Sequence, residues 1–128
     1  MAEGLLKKTR GDFSVSSAGV SALVGHEPSL EALEVMQEYD IDISGHVARQ
    51  VDSGMIRDAD LILTMVRRHK EWVKNRYPEA DGKIFTLKEY AGIGTDVQDP
   101  YGMSKEFYQE IAHEIATALK EADFEGLK

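Results

Sequence analysis

The chain has 128 residues, enough for one domain and too few for two of ordinary size. Hydrophobic residues make up 42% and charged residues 30%, so the chain can bury a core and does not have a disordered composition. Lysine and arginine number 15 against 23 aspartates and glutamates, a net charge of −8 that repels phosphate backbones and anionic lipid and argues against nucleic-acid and membrane-surface partners. No apolar run approaches the roughly 18 residues of a membrane span, and no basic n-region precedes an apolar stretch, so transmembrane and secreted readings fall away. The cysteine count is zero. That forbids disulfides, thiolate metal sites, thiol redox chemistry and every thiol nucleophile.

Residues 1–10 read as a short helix with no N-cap before it, Leu5 and Leu6 being its strong apolar residues. Gly11-Asp12 is a turn, and Phe13 to Ser17 alternates like a strand that ends at Ala18-Gly19. Ser29 caps a helix carrying Leu30, Leu33, Met36 and Tyr39, and Ile41 and Ile43 close that unit before a turn at Ser44-Gly45. Residues 52–59 form a short helix, and Leu61 to Met65 is a continuous apolar run expected to be a strand buried on both faces. Arg67 to Tyr77 is a polar helix, and Lys83 to Leu87 another short strand. A glycine-rich loop at 91–94 leads to Asp99-Pro100-Tyr101-Gly102. Ser104 then caps a long helix whose apolar residues, from Phe107 to Ala122, recur about every 3.6 residues. The tail after Ala122 should fray. Alternating helices and strands predict a parallel α/β sheet, with the loops starting at Ser17, Met65 and Leu87 on one rim, where such folds bind ligands. Three strands make a meagre sheet.

Taken alone, most polar residues have plain explanations. Asp-Pro at 99–100 starts turns for its own reasons. His26, His69 and His113 are widely spaced and form no i, i+4 pair, so neither a metal site nor a cofactor is expected. No Gly-x-Ser-x-Gly elbow surrounds Ser16 and Ser17, and a strand end accounts for them. Gly92-Ile93-Gly94 lacks the context of a dinucleotide site. Arg67, Arg68, Lys70, Lys74 and Arg76 read as a solvated helix face.

In combination the chain resembles the low-molecular-weight protein tyrosine phosphatases, particularly the bacterial ones, which include relatives acting on phosphoarginine. Met1-Ala2-Glu3 resembles the segment after the family's phosphate loop, and Ser16 to Gly19 the end of its second strand. Gly45 to Gln50 resembles its His-x-Ala-Arg-Gln stretch, Ala59 to Met65 its third strand, Phe85 to Tyr90 its fourth, and Asp99 to Gly102 its general-acid loop. Val66 stands where an acidic residue is usual, Leu30 where a proline is common, and Met103 where a glycine often follows.

The resemblance implies a three-layer, flavodoxin-like α/β fold with a parallel sheet in the order 2-1-3-4. Its first, central strand, feeding a Cys-x5-Arg phosphate loop, is expected to be missing here. Roughly twenty residues of the family pattern would then precede Met1, by the length of one strand and one short loop. On this reading residues 1–128 are a single domain incomplete at its front. Asp99 holds the general-acid position, His46 braces the phosphate loop, Tyr101 lines the pocket mouth, and Ser17 lies beside it. The implied activity is hydrolysis of phosphotyrosine or phosphoarginine in proteins through a cysteinyl-phosphate, in the cytoplasm, without cofactor or metal. The nucleophile is absent, so the chain is expected to be inactive. A non-catalytic binding protein and an arsenate-reductase relative are the alternatives, the latter needing the same thiol. Loss of a central strand also predicts unpaired edges, open to self-association.

Overall fold

Side-chain caps decide where most helices begin. A computed structural model describes residues 1–20 and 25–125. Ser29 Oγ accepts the Ala32 N–H at 3.2 Å and starts α2 (Leu30–Glu38), while Asp52 takes the Met55 N–H at 2.9 Å and starts α3 (Ser53–Asp58). Ser104 likewise accepts the Phe107 N–H and starts the long helix, which is α6 in chain order (Lys105–Glu121). By contrast α1 (Ala2–Thr9) has Met1 at its N-cap and no side-chain cap, as the sequence predicts. Gly4 lets α1 lie close on the following segment: a Cβ there would stand 3.0 Å from Ile41 Cγ2 and 3.3 Å from Ile43 Cγ2. No helix among the described residues is long and apolar enough to cross a membrane.

The sheet among the described residues has two parallel strands, β1 (Ile62–Thr64) and β2 (Ile84–Thr86), with Ile62 opposite Ile84 and Thr64 opposite Thr86. Alternation along them sorts side chains into two layers. Ile62 and Ile84 join Ile56, Val73 and Ala80, beneath α3 and α4 (Arg67–Arg76). Leu61, Leu63 and Met65 pack instead against the larger cluster, which is built on Leu5, Met36, Ile111, Ile115 and Leu119 from α1, α2 and α6. Helices on both faces of a parallel sheet are the predicted three-layer arrangement.

Four expectations need correction. Phe13 to Ser17 is not a strand. Phe13, Val15 and Ser17 are half-buried while Ser14 and Ser16 are exposed, so the side-chain alternation is present and the ladder is not. The pairing nearby is one parallel bridge, Gly19 with Gln50, closed by Gly19 N–H to the Arg49 carbonyl at 2.8 Å and Val51 N–H to the Gly19 carbonyl at 3.0 Å. A strand exists through its partner, and among the described residues none lies alongside 13–17. For the same reason Leu61 to Met65 is half-buried, not buried on both faces. In a parallel pair one residue turns both its N–H and C=O to the same neighbour. Ile62 N–H bonds the Lys83 carbonyl at 2.9 Å, so Leu63 presents its backbone groups to the opposite edge of β1, where no described strand pairs.

Leu87 opens a short helix, α5 (Leu87–Ala91), where the sequence suggests a strand end. Thr86 and Glu89 form a reciprocal capping box, a T-x-x-E signature, with the Thr86 side chain fully buried beneath it. Gly92, at φ +74°, ends that helix in the left-handed conformation that favours glycine, and the Ile93 N–H reaches back to the Lys88 carbonyl at 3.0 Å. The Gly92-Ile93-Gly94 run is therefore a helix stop.

The fourth correction concerns the tail. Residues 126–128 lie outside the described residues, but Phe124 does not fray: it is 4% exposed, with its ring 5.5 Å edge-on from Phe13 and 5.5 Å from Tyr90. An apolar side chain two residues beyond a frayed helix end still gains from burial when a pocket is within reach. Phe124→Ala should lower stability by about 3 kcal/mol in urea unfolding, the usual cost of truncating a buried phenylalanine.

Candidate functional site

Glu3, in the first turn of α1, receives side chains from two other segments. Ser17 Oγ donates to Glu3 Oε1 at 2.7 Å and Lys7 Nζ to Glu3 Oε2 at 3.1 Å, while His46 Nδ1 stands 3.8 Å from Oε2. A helix's first turn favours a carboxylate, because the peptide dipoles and free N–H groups there are positive. Burial pushes the Glu3 carboxyl up; the hydrogen bonds from Ser17 and Lys7 and the charges of Lys7 and His46 together outweigh it and hold the group below its usual range. Ser17 is held from its other side by Arg49, whose Nε donates to the Ser17 carbonyl at 3.3 Å. His46 sits in the tight turn where its N–H bonds the Ile43 carbonyl at 3.0 Å. Beside this group opens a cleft of about 690 Å³, lined among others by Glu3, Lys7, Lys8, His46 and Arg49.

The loop after α5 forms the second part. Val97 N–H donates to the Met65 carbonyl at 2.7 Å and Arg67 N–H to Asp96 Oδ1 at 2.8 Å, which ties the loop to the carboxyl end of β1. Val97 is buried and anchors it. Asp99 is exposed, and its Oδ1 accepts the Tyr101 N–H at 3.0 Å while Met103 N–H bonds the Pro100 carbonyl at 2.9 Å. The plain reading of Asp-Pro as a turn starter thus describes the backbone correctly. Tyr101 stands 79% exposed beside it.

The four predicted site residues therefore fall into two groups, Ser17 with His46 on Glu3, and Asp99 with Tyr101 on the later loop. Among the described residues no hydrogen bond or ion pair joins the groups. Glu3 belongs to one of the matching segments of the sequence, which gives it no role of its own. Its signal was a lone carboxylate in the first turn of an uncapped helix, with Lys7 four residues on. Ser17 donates its hydroxyl to Glu3, a carboxylate held below its usual range and therefore a weak base for activating it. Among the described residues no three of His, Asp and Glu converge as a metal centre requires.

This arrangement occurs on a known scaffold. The family model described as low molecular weight phosphotyrosine protein phosphatase matches residues 1–125. The chain belongs to the low-molecular-weight protein tyrosine phosphatase family, and its fold is the flavodoxin-like α/β fold of that family. It is 32% identical over 119 residues to the low molecular weight protein-tyrosine-phosphatase Ptp of Acinetobacter johnsonii, covering 93% of this chain and 82% of that one. It is also 36% identical over 121 residues to the protein-arginine-phosphatase of Geobacillus stearothermophilus, covering 93% and 81%. The crystal structure of a low molecular weight protein tyrosine phosphatase from T. tengcongensis superposes with a TM-score of 0.90 at 41% identity, over 94% of this chain and 85% of that one.

The depressed Glu3 carboxyl has a stability consequence. A carboxylate whose folded value lies below its unfolded value stabilises the fold above the unfolded value and loses that contribution as pH falls through the folded one. Glu3→Gln should cost about 1–2 kcal/mol at neutral pH, as for a hydrogen bond to a charged group. In urea unfolding across a pH series, the gap between variant and parent should narrow below about pH 4.3, near the ordinary glutamate value.

Proposed function

We propose that these residues form the scaffold and general-acid part of a protein phosphatase acting on phosphotyrosine or phosphoarginine, and that the 128 residues by themselves turn over no phosphate ester. The observation that carries this reading is a retained Asp99 loop, seated on the end of β1, in a family member with no cysteine. In the family chemistry a thiolate attacks phosphorus and the P–O or P–N bond to the leaving group breaks. Asp99 gives its proton to the leaving atom. Water then attacks the cysteinyl-phosphate, Asp99 takes a proton from that water, and thiolate and inorganic phosphate depart. Glu3, with Ser17 and His46, braces the base of the anion-binding loop, and Tyr101 supplies an aromatic wall at its mouth. The phosphate cradle and the sulfur have to come from residues other than these. On this reading the substrate is a cytoplasmic phosphoprotein, which the family likeness supports, and an arsenate-reductase chemistry needs the same sulfur.

A second reading, a non-catalytic interaction protein, draws support from the backbone groups of Leu63 at the unpaired edge of β1, which offer a strand-pairing surface to a second copy.

Purified protein incubated with p-nitrophenyl phosphate should match the buffer rate; turnover that tracks the protein and disappears in Asp99→Ala would contradict the proposal. A version carrying an apolar strand and a Cys-x5-Arg loop ahead of Met1 should gain activity. In that version Asp99→Asn should cut the rate by about 100-fold or more, the usual contribution of a positioned acid.

A further inference from the structure

We propose that the exposed face of α4 is a docking strip for a short, extended acidic segment of a protein partner, with a carboxylate at each end and an apolar side chain between them. Arg68, Trp72 and Arg76 lie at i, i+4 and i+8 on that helix and form one stripe along it. The other lysines are already paired, Lys70 with Glu89 at 2.8 Å and Lys74 with Asp81 at 3.6 Å. Arg68 and Arg76 are exposed and make no ion pair among the described residues. Between them Trp72 is 38% exposed, its ring set edge-on to Tyr77 at 6.5 Å. A groove of about 340 Å³ lined by Val20, Arg68, His69 and Trp72 runs beside the indole. Five Lys/Arg against the single Glu71 give α4 a local excess of 5 − 1 = +4 in a chain of net charge −8.

The spacing selects the ligand. Eight residues of helix put the two arginine Cα atoms about 12 Å apart. An extended peptide rises about 3.3 Å per residue, so its residues i and i+4 stand about 13 Å apart with i+2 midway, all three on one face. Two carboxylates flanking an apolar or aromatic residue at that spacing meet Arg68, Trp72 and Arg76 together. The overall negative charge decides against larger polyanions: a nucleic acid or anionic bilayer extends beyond the strip into a repulsive surface, whereas a five-residue segment stays within about one Debye length, roughly 8–10 Å, of the arginines.

The strip also lies beside the candidate site. α4 begins at Arg67, just past the end of β1, and the Arg67 N–H is bonded to Asp96 in the Asp99 loop. Identifying the partner as a phosphoprotein substrate rests on the proposed function; the docking itself does not, because a chain without a thiol still binds.

Trp72 is the sole tryptophan, so its emission reports the strip directly. The probe is the blocked peptide Glu-Ser-Phe-Ser-Glu, titrated into the intact chain, with the Lys-Ser-Phe-Ser-Lys peptide and an isomer carrying adjacent glutamates as controls. A saturable change in emission, weakened about tenfold by Arg68→Glu or Arg76→Glu and about fivefold by raising salt, is expected. Calorimetry repeats the titration without relying on the indole, and circular dichroism verifies that each variant is folded. Equal binding of the isomer or the lysine peptide, unchanged affinity in both folded arginine variants, no heat or emission change up to millimolar peptide, or a response to phosphatidylserine vesicles in place of the peptide would each overturn the proposal. Because the readout is binding, its failure leaves the phosphatase reading standing, and an unexpected phosphatase activity leaves the docking strip standing.

Discussion

One carboxylate holds three stretches of chain in register. Glu3 gathers Ser17 from the extended segment after α1 and His46 from the turn after Ile43, with Lys7 completing the group from its own helix. Without that hub, α1 would meet the rest of the site through apolar packing, which has no directional preference, and the Lys8 hydrogen bond to the Tyr39 carbonyl. A half-buried carboxylate is costly unless its lone pairs are occupied, and here neutral and cationic donors share the load. Gly4 keeps the geometry tight, since a Cβ there would press on the Ile41 and Ile43 side chains more closely than ordinary van der Waals contact.

The sheet shows how much of a strand depends on its neighbour. Residues 13–17 keep the in-and-out alternation of side chains, and β1 sends alternate residues to opposite apolar clusters, yet the two do not pair with each other. Side-chain burial, with the Ser17 hydrogen bonds to Glu3 and from Arg49, maintains the direction of 13–17. It does not make a ladder. The loop bearing Asp99 is independent of that gap, because Val97 and Asp96 fasten it to the end of β1 and to the start of α4. Those two ties keep the Asp99 loop ordered whatever lies beside 13–17.

Under the proposed function the chemistry has two parts, what positions a leaving-group proton and what holds an anion, and that reading assigns only the first to side chains of these residues. The electrostatics are uneven: the cations along α4 stand out against a strongly acidic remainder, while the Glu3 cleft balances Lys7, Lys8 and Arg49 against Glu3, Asp40 and Asp42. Local positive regions of this kind act over about a Debye length, so they govern what touches them while leaving the protein as a whole repelled by extended polyanions.

Helix starts were legible because capping is local: Ser29, Asp52 and Ser104 each satisfy an N–H three residues away, and the period of the terminal helix needs no tertiary information. The Thr86–Glu89 box was equally local and visible, though the preceding apolar run masked it. Asp99, Tyr101, His46 and Ser17 could be picked out only through the ordered set of family motifs, since each residue by itself has an ordinary explanation. The burial of Phe124 against Phe13 and Tyr90, the gathering of Ser17 and His46 on Glu3, and the failure of 13–17 to pair were decided by the tertiary structure alone. Each depends on segments far apart in the chain meeting in space: a strand pattern becomes a ladder only beside a neighbour, and one carboxylate draws together side chains that the sequence keeps apart.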